Sequence, residues 1–386
     1  MTFVIICLDG FGYEYLKKTK FLKKLLNKSI YGRAYHGPGY ASELCAITGK
    51  NLNELGIVSN NFIYNPSGIK FYKCFNFLGN SRQIRVFLDL IYNAKEFFIG
   101  NNQPKSIFNL PLKYSGNFDF LMKKNFFSQK VMGHRTIFET LRTMNKTTVG
   151  YMWPFIYQNN KTQIDLLNIG KSTAYTDDRA FKKAICLLKK NPDIAYFHFF
   201  STDNLVHKYG VDSNETLELI KKMDYFVEEL SKYSDSLLVF SDHGMVNIRK
   251  SWNLWREVEA SKLSYGEDYI MFLDSTLARF WFKNEHAKKI ITNLLMKSKN
   301  GHILKFKNKN IVKYFGELIF KVNSGILILP NFYQSKPDKA THGYGDSCKE
   351  EDAFYIFYKN RINNLKKDTP INEIYNIILN NLQPES

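Results

Sequence analysis

Three short apolar runs in this chain each end in an aspartate: VIICLD closing on Asp9, AYFHFFSTD on Asp203 and LLVFSD on Asp242. Continuous apolar runs of this length suit strands buried on both faces, as in a parallel sheet. Ligands of such sheets collect beyond the carboxyl ends of the strands. The sheet itself would therefore gather three carboxylates along one edge. A lone aspartate at a strand end would be read as a turn cap, but two of these three carry a histidine with them. Asp203 and His207 stand four residues apart, on one face of a helical turn. Asp242 and His243 are adjacent and followed by Gly244, which permits the tight turn needed to aim both at one cation. His342 adds a sixth ligand within Thr341-His342-Gly343-Tyr344-Gly345. Carboxylate oxygens and imidazole nitrogens suit Zn²⁺ or Mn²⁺, and six of them would hold two divalent cations. Hydrolysis or transfer at a phosphorus or sulfur ester is the chemistry this set favours. His36, His134, His198, His286 and His302 lack such settings and read as core or surface residues.

The rest of the chain alternates strand-like and helical patterns. Further strands are expected at Thr148–Trp153, Leu277–Phe282 and Ile326–Leu329, and helices at Tyr13–Asn27, Arg135–Met144, Asp177–Lys190, Asn214–Lys232 and near Asn284–Lys297. Ser42–Thr48 reads as a short helix capped by Ser42 and stopped by Gly49. Such alternation predicts an α/β fold, a mainly parallel central sheet sandwiched by helices. All 386 residues would form one such domain. Two stretches break the rhythm. Residues 60–129, with a helical patch at Ser81–Phe98, are expected to form an inserted cap over the site, with a peripheral membrane-surface element as the second use of that patch. Residues 252–334 are expected to build a small subdomain that delivers His342.

A net charge of +18 favours anionic partners in general, and no nucleic-acid-binding module is present. The expected partner is an anionic small-molecule substrate. Five scattered cysteines without CxxC spacing predict reduced thiols. The N-terminal run is too short for a signal peptide, and no apolar run reaches the ~18–20 residues of a membrane span, so a cytoplasmic protein is expected.

LDGFG at Leu8–Gly12, TGKN…LGIVSNN from Thr48 to Asn61, STDNLVHKYG at Ser201–Gly210, SDHGM at Ser241–Met245 and THGYGD at Thr341–Asp346 fall in the order seen in the alkaline phosphatase superfamily. The chain most resembles its type I phosphodiesterase/nucleotide pyrophosphatase branch, over nearly its whole length. That resemblance implies one Zn²⁺ on Asp9, Asp242 and His243, and a second on Asp203, His207 and His342. It also implies a covalent intermediate on a Thr or Ser at a helix N-terminus.

Here the chain departs from the family. Counted back from Thr48-Gly49, the nucleophile position falls on Gly39, in Gly37-Pro38-Gly39-Tyr40-Ala41-Ser42. Glycine cannot attack. Ser42 is the nearest hydroxyl at the helix start; its other roles would be an N-cap, or a phosphate contact where relatives carry Asn. Tyr40 is the next candidate, Thr48 sits at the wrong end of the helix, and a metal-activated water remains a further route. The expected function is two-metal hydrolysis of a phosphodiester or pyrophosphate bond through a phosphoryl-enzyme intermediate. The alternatives are a metal-binding recognition protein with a dead nucleophile, or another superfamily activity: phosphomonoesterase, phosphonate hydrolase or phosphoryl transferase.

Overall fold

The computed structural model describes residues 1–59, 62–66, 75, 82–98, 114, 117–120, 134–144, 146–151, 163–164, 177–345, 348–359 and 364–382. Its frame is a nine-stranded sheet. From edge to edge run Leu365–Lys366, Ile30–Tyr35, Ala353–Lys359, Ser236–Phe240, Phe3–Leu8, Ile194–Phe199, Thr148–Tyr151 and Gln163–Ile164, with Thr369–Pro370 also paired to Ile30–Tyr35. From Ser236–Phe240 to Gln163–Ile164 all neighbours are parallel. Ala353–Lys359 runs antiparallel to both of its neighbours.

The three apolar runs that end near aspartate are adjacent at the centre of this sheet, with Phe3–Leu8 between the other two. Strand alternation divides their side chains between two cores. Phe3, Ile5 and Cys7 face one side, with Leu44, Cys45 and Ile47 of the Ser42–Thr48 helix and Ile374 and Ile378 of the Glu373–Leu382 helix. Val4, Ile6 and Leu8 face the other, with the Asp177–Leu188 and Asn214–Ser231 helices. Helices on both faces of a mainly parallel sheet give the expected α/β class.

A separate four-stranded antiparallel sheet, in the order Tyr269–Leu273, Leu277–Phe282, Leu318–Val322 and Gly301–Leu304, lies within the 252–334 stretch. Phe272, Phe280, Trp281 and Phe320 fill its core, and Leu88 and Tyr92 of the Arg82–Phe98 helix join it. Val86, Phe87, Leu90 and Ile91 of that helix are exposed. Most of the expected cap at 60–129 lies outside the described residues.

Two local expectations are corrected. Tyr13–Asn27 is not one helix but a 3₁₀ turn at Tyr13–Lys18, a short α-helix at Phe21–Leu25 and a second 3₁₀ turn at Leu26–Lys28. The break falls where the buried carboxylate of Asp224 accepts the N–H groups of Lys20, Phe21 and Leu22 at 2.7–2.9 Å. Ser42 is not the cap of its helix: Ala41 occupies that position without a side-chain bond, and Ser42 is the first helical residue. Gly49 ends the helix in the left-handed conformation, as expected.

Candidate metal centre

Asp9 leaves the central strand and turns sharply at Gly10. Only glycine fits there, because φ is +68° and a Cβ would lie 2.8 Å from the Cα of Asp203. This close approach, sealed by the Asp203 N–H donating to the Asp9 carbonyl at 3.1 Å, brings the first and second motifs together. On the other flank, Asp242 Oδ1 accepts the N–H of Gly10 at 3.2 Å and that of its neighbour His243 at 2.9 Å. His243 Nε2 lies 3.5 Å from Asp9 Oδ1 and 3.3 Å from Asp242 Oδ2. Its Nδ1 is 3.0 Å from the Gly244 carbonyl; a carbonyl accepts only, so Nδ1 carries the proton and Nε2 is left as a ligand atom.

Asp203 and His207 lie on the Ser201–Tyr209 helix, whose first turn is held by Asp177: its carboxylate accepts from Phe200 N at 3.2 Å and Ser201 N at 2.9 Å. The i, i+4 spacing works as expected, with His207 Nε2 3.4 Å from Asp203 Oδ1. His207 Nδ1 donates to the Ala340 carbonyl at 2.9 Å, again freeing Nε2. His342 follows the short Ala340–Thr341 strand, which pairs with Val246–Asn247 just beyond His243. Its Nε2 is 3.7 Å from Asp203 Oδ1.

The six residues thus converge from four separate places in the chain. Two groups of three stand out among the described residues, Asp203 with His207 and His342, and Asp9 with Asp203 and His243; in each the ligand atoms lie within 4.8 Å of one another. Asp203 belongs to both. Two atoms bound to one tetrahedral zinc at ~2.0–2.1 Å would sit about 3.3 Å apart, so spacings of 3.3–3.7 Å fit cations held between these groups.

The electrostatics also fit. Burial, together with the charges of Asp242 and Asp203, pushes Asp9 up to about 7. Burial opposes a charge on His243, but Asp242, Asp9 and Asp203 outweigh it and hold its pKa at about 9. Burial and the neighbouring His243 drive His342 well below the usual histidine range. Three crowded carboxylates and clustered imidazoles borrow protons from each other here, a conflict that divalent cations remove.

Three further groups complete the site; sequence reasoning missed His198 and Glu351 and weighed Tyr40 only as a nucleophile. His198, read as core or surface, is buried as expected but bridges Asp9 and Glu43, with Nε2 3.3 Å from Asp9 Oδ2 and Nδ1 3.2 Å from Glu43 Oε1. The register explains its aim: His198 pairs with Cys7, so its side chain takes the face that Cys7 shares with Asp9 two residues on. Glu351, fully buried, accepts the N–H groups of Gly343, Tyr344 and Gly345 and so anchors the loop carrying His342. Tyr40 packs edge-on against His342, ring centroids 5.2 Å apart, while its hydroxyl meets Thr276 Oγ1 at 2.9 Å and accepts the Thr276 N–H at 3.0 Å. Only the paired charges of a His–carboxylate register, visible once strand partners are known, would have signalled the first of these.

At Gly39 φ is +99° and a Cβ would lie 2.1 Å from the Val58 carbonyl oxygen. No side chain can stand there without moving the backbone. Ser42 is buried at the start of its helix, next to Glu43.

The model of the family described as type I phosphodiesterase / nucleotide pyrophosphatase matches residues 3–344. The chain belongs to that family. Membership places this phosphodiesterase-family chain among metal-dependent hydrolases of phosphodiester and pyrophosphate bonds. Solved structures of ectonucleotide pyrophosphatase/phosphodiesterase 5 share its fold. An inactive variant of the murine protein in complex with AMP is 16% identical, with 99% of this chain and 96% of that one covered and a TM-score of 0.67. The human protein is 17% identical over 99% and 96% of the two chains, with a TM-score of 0.66. No curated protein sequence matches the chain significantly. Among the described residues no helix is long and apolar enough to cross a membrane.

Proposed function

We propose that this phosphodiesterase-family chain hydrolyses a phosphodiester or pyrophosphate bond in a nucleotide-like anion, through a covalent phosphoryl-enzyme intermediate on Ser42, which keeps the substrate's remaining ester arm, beside two zinc ions. The observation that carries the reading is the sharing of Asp203 between two ligand groups, which supports a binuclear centre. Asp9, Asp242 and His243 would hold one ion and His207 and His342 the other, with Asp203 between them. When bound, such a pair supplies Lewis-acid stabilisation of the phosphoryl oxygens and lowers the pKa of the attacking hydroxyl.

Ser42 is favoured over the other hydroxyls by elimination and by position. Tyr40 is engaged by Thr276 and pushed well above its usual range, chiefly by burial. Thr48 donates to the Leu44 carbonyl at 2.6 Å at the far end of the helix. Ser42 adjoins Glu43, which reaches Asp9 through His198. In the first step the Ser42 Oγ–P bond forms, the ester P–O bond breaks, and the serine proton leaves with the departing alcohol or phosphate. In the second, water forms a new P–O bond, the Oγ–P bond breaks, and Ser42 regains a proton. An AMP-bound relative and the surplus of positive charge support a nucleotide as the substrate class.

The test is turnover of nitrophenyl phosphate, bis-nitrophenyl phosphate and the nitrophenyl ester of thymidine monophosphate by zinc- or manganese-loaded protein. Hydrolysis of the two diesters and not the monoester is expected. Silence on every ester with two metals bound would overturn catalysis in favour of an anion-binding role.

A further inference from the structure

We infer that His198 is a positioning residue that ties the metal ligand Asp9 to the Ser42 helix through Glu43, so that occupancy of the Asp9 side of the centre sets the placement of Ser42. This deepens the two-metal reading and rests on it. The geometry is specific. His198 enters from the neighbouring strand, wholly buried, with its two ring nitrogens within ion-pair distance of two different carboxylates, Asp9 Oδ2 at 3.3 Å and Glu43 Oε1 at 3.2 Å. The ring cannot swing away, because Phe200 stacks on it with centroids 3.9 Å apart. Asp9 Oδ1 is the oxygen turned toward His243, so the two carboxylate oxygens divide their duties, one toward the metal ligands and one toward His198.

A buried imidazole between two carboxylates is an uncommon expense in a core. Ligating carboxylates are commonly oriented by such outer partners, whose loss weakens metal binding by roughly 10–100-fold. Here the outer partner has a second arm. Glu43 is the residue after Ser42, so a shift of Asp9 is passed on to the first turn of that helix.

The experiment uses the full chain, freed of metal by chelation, and titrates zinc against a chromophoric competitor. Wild type, Glu43→Gln, His198→Gln and the double variant are compared, with circular dichroism as the check on folding. We expect the weakening of about 10–100-fold to fall on one of the two zinc sites only. The double variant should be no worse than His198→Gln, because the two residues act as one unit. With both sites filled by excess zinc, kcat on bis-nitrophenyl phosphate should still be reduced at unchanged KM. Should His198→Gln fail to fold, Glu43→Gln alone carries the test, because that side chain is partly exposed. Unchanged zinc affinity in folded variants, or equal weakening of both sites, would overturn the inference while leaving the binuclear reading intact. A wild-type chain that binds fewer than two zinc ions would overturn both.

Discussion

The imidazole of His342 lies flat on that of His243, with ring centroids 3.7 Å apart and planes 5° from parallel. Two such rings cannot both be charged at this distance. In the metal-free protein the carboxylates around His243 keep it protonated while His342 is held neutral. As ligands of bound cations, both rings would be neutral and the stack would be released from this asymmetry.

Zinc binding should therefore release protons. Asp9, at about 7, and His243, at about 9, hold protons that the metal must displace. Both shifts are upward, so apparent affinity should rise with pH from about 6 to about 9 and fall as pH drops through that window. Calorimetry in buffers of different ionisation enthalpy measures the released protons directly. No pH dependence across this range would contradict the assignment of these two residues as ligands.

Asp203→Asn should be the most damaging ligand substitution. Asp203 belongs to both ligand groups, whereas His207 belongs to one. The asparagine variant is expected to lose binding at both sites, and His207→Ala at one. Elemental analysis after gel filtration separates the two outcomes.

Ser42→Ala should abolish turnover and leave metal content unchanged. Persisting hydrolysis would remove Ser42 as nucleophile and favour direct attack by water, without touching the metal centre.

Restoring a threonine at the family's nucleophile position should not rescue or raise activity. Gly39→Thr sets a β-branched residue at φ +99° and drives its Cβ against the Val58 carbonyl. Backbone strain alone costs about 1–3 kcal/mol, so urea unfolding should show a clear loss of stability. A variant as stable as wild type with increased diesterase activity would contradict this.

How much of this was legible in the sequence depends on range. Asp9, Asp203 and Asp242 were readable because a buried parallel strand leaves an unbroken apolar signature and a polar residue at its end. Asp203 and His207 were readable from helical spacing alone. The central sheet was underestimated, however: Ile30–Tyr35 and Ala353–Lys359 also join it, antiparallel to each other; the half-buried IYGRAY lacks that signature, whereas AFYIFYK carries the apolar run but no aspartate at its end. His198, Glu43 and Glu351 were illegible for a different reason. Each acts through a partner more than one hundred residues away in sequence or through loop N–H groups, and no local pattern encodes a strand register or the backbone donors of a folded loop.

Glu351 offers a check on that last point. Glu351→Ala would strand three buried N–H donors in the His342 loop, at about 1–3 kcal/mol each when left unpaired. Reduced stability in urea together with weaker zinc binding is expected. A variant of wild-type stability and affinity would show that the loop holds its shape without the carboxylate.

The most direct test is the metal content of purified, metal-replete wild-type chain by mass spectrometry of the elements after exhaustive gel filtration. Two tightly held ions per polypeptide are predicted, both lost in Asp203→Asn. One ion or none per polypeptide, or a variant that retains both, would contradict a centre built around a shared aspartate.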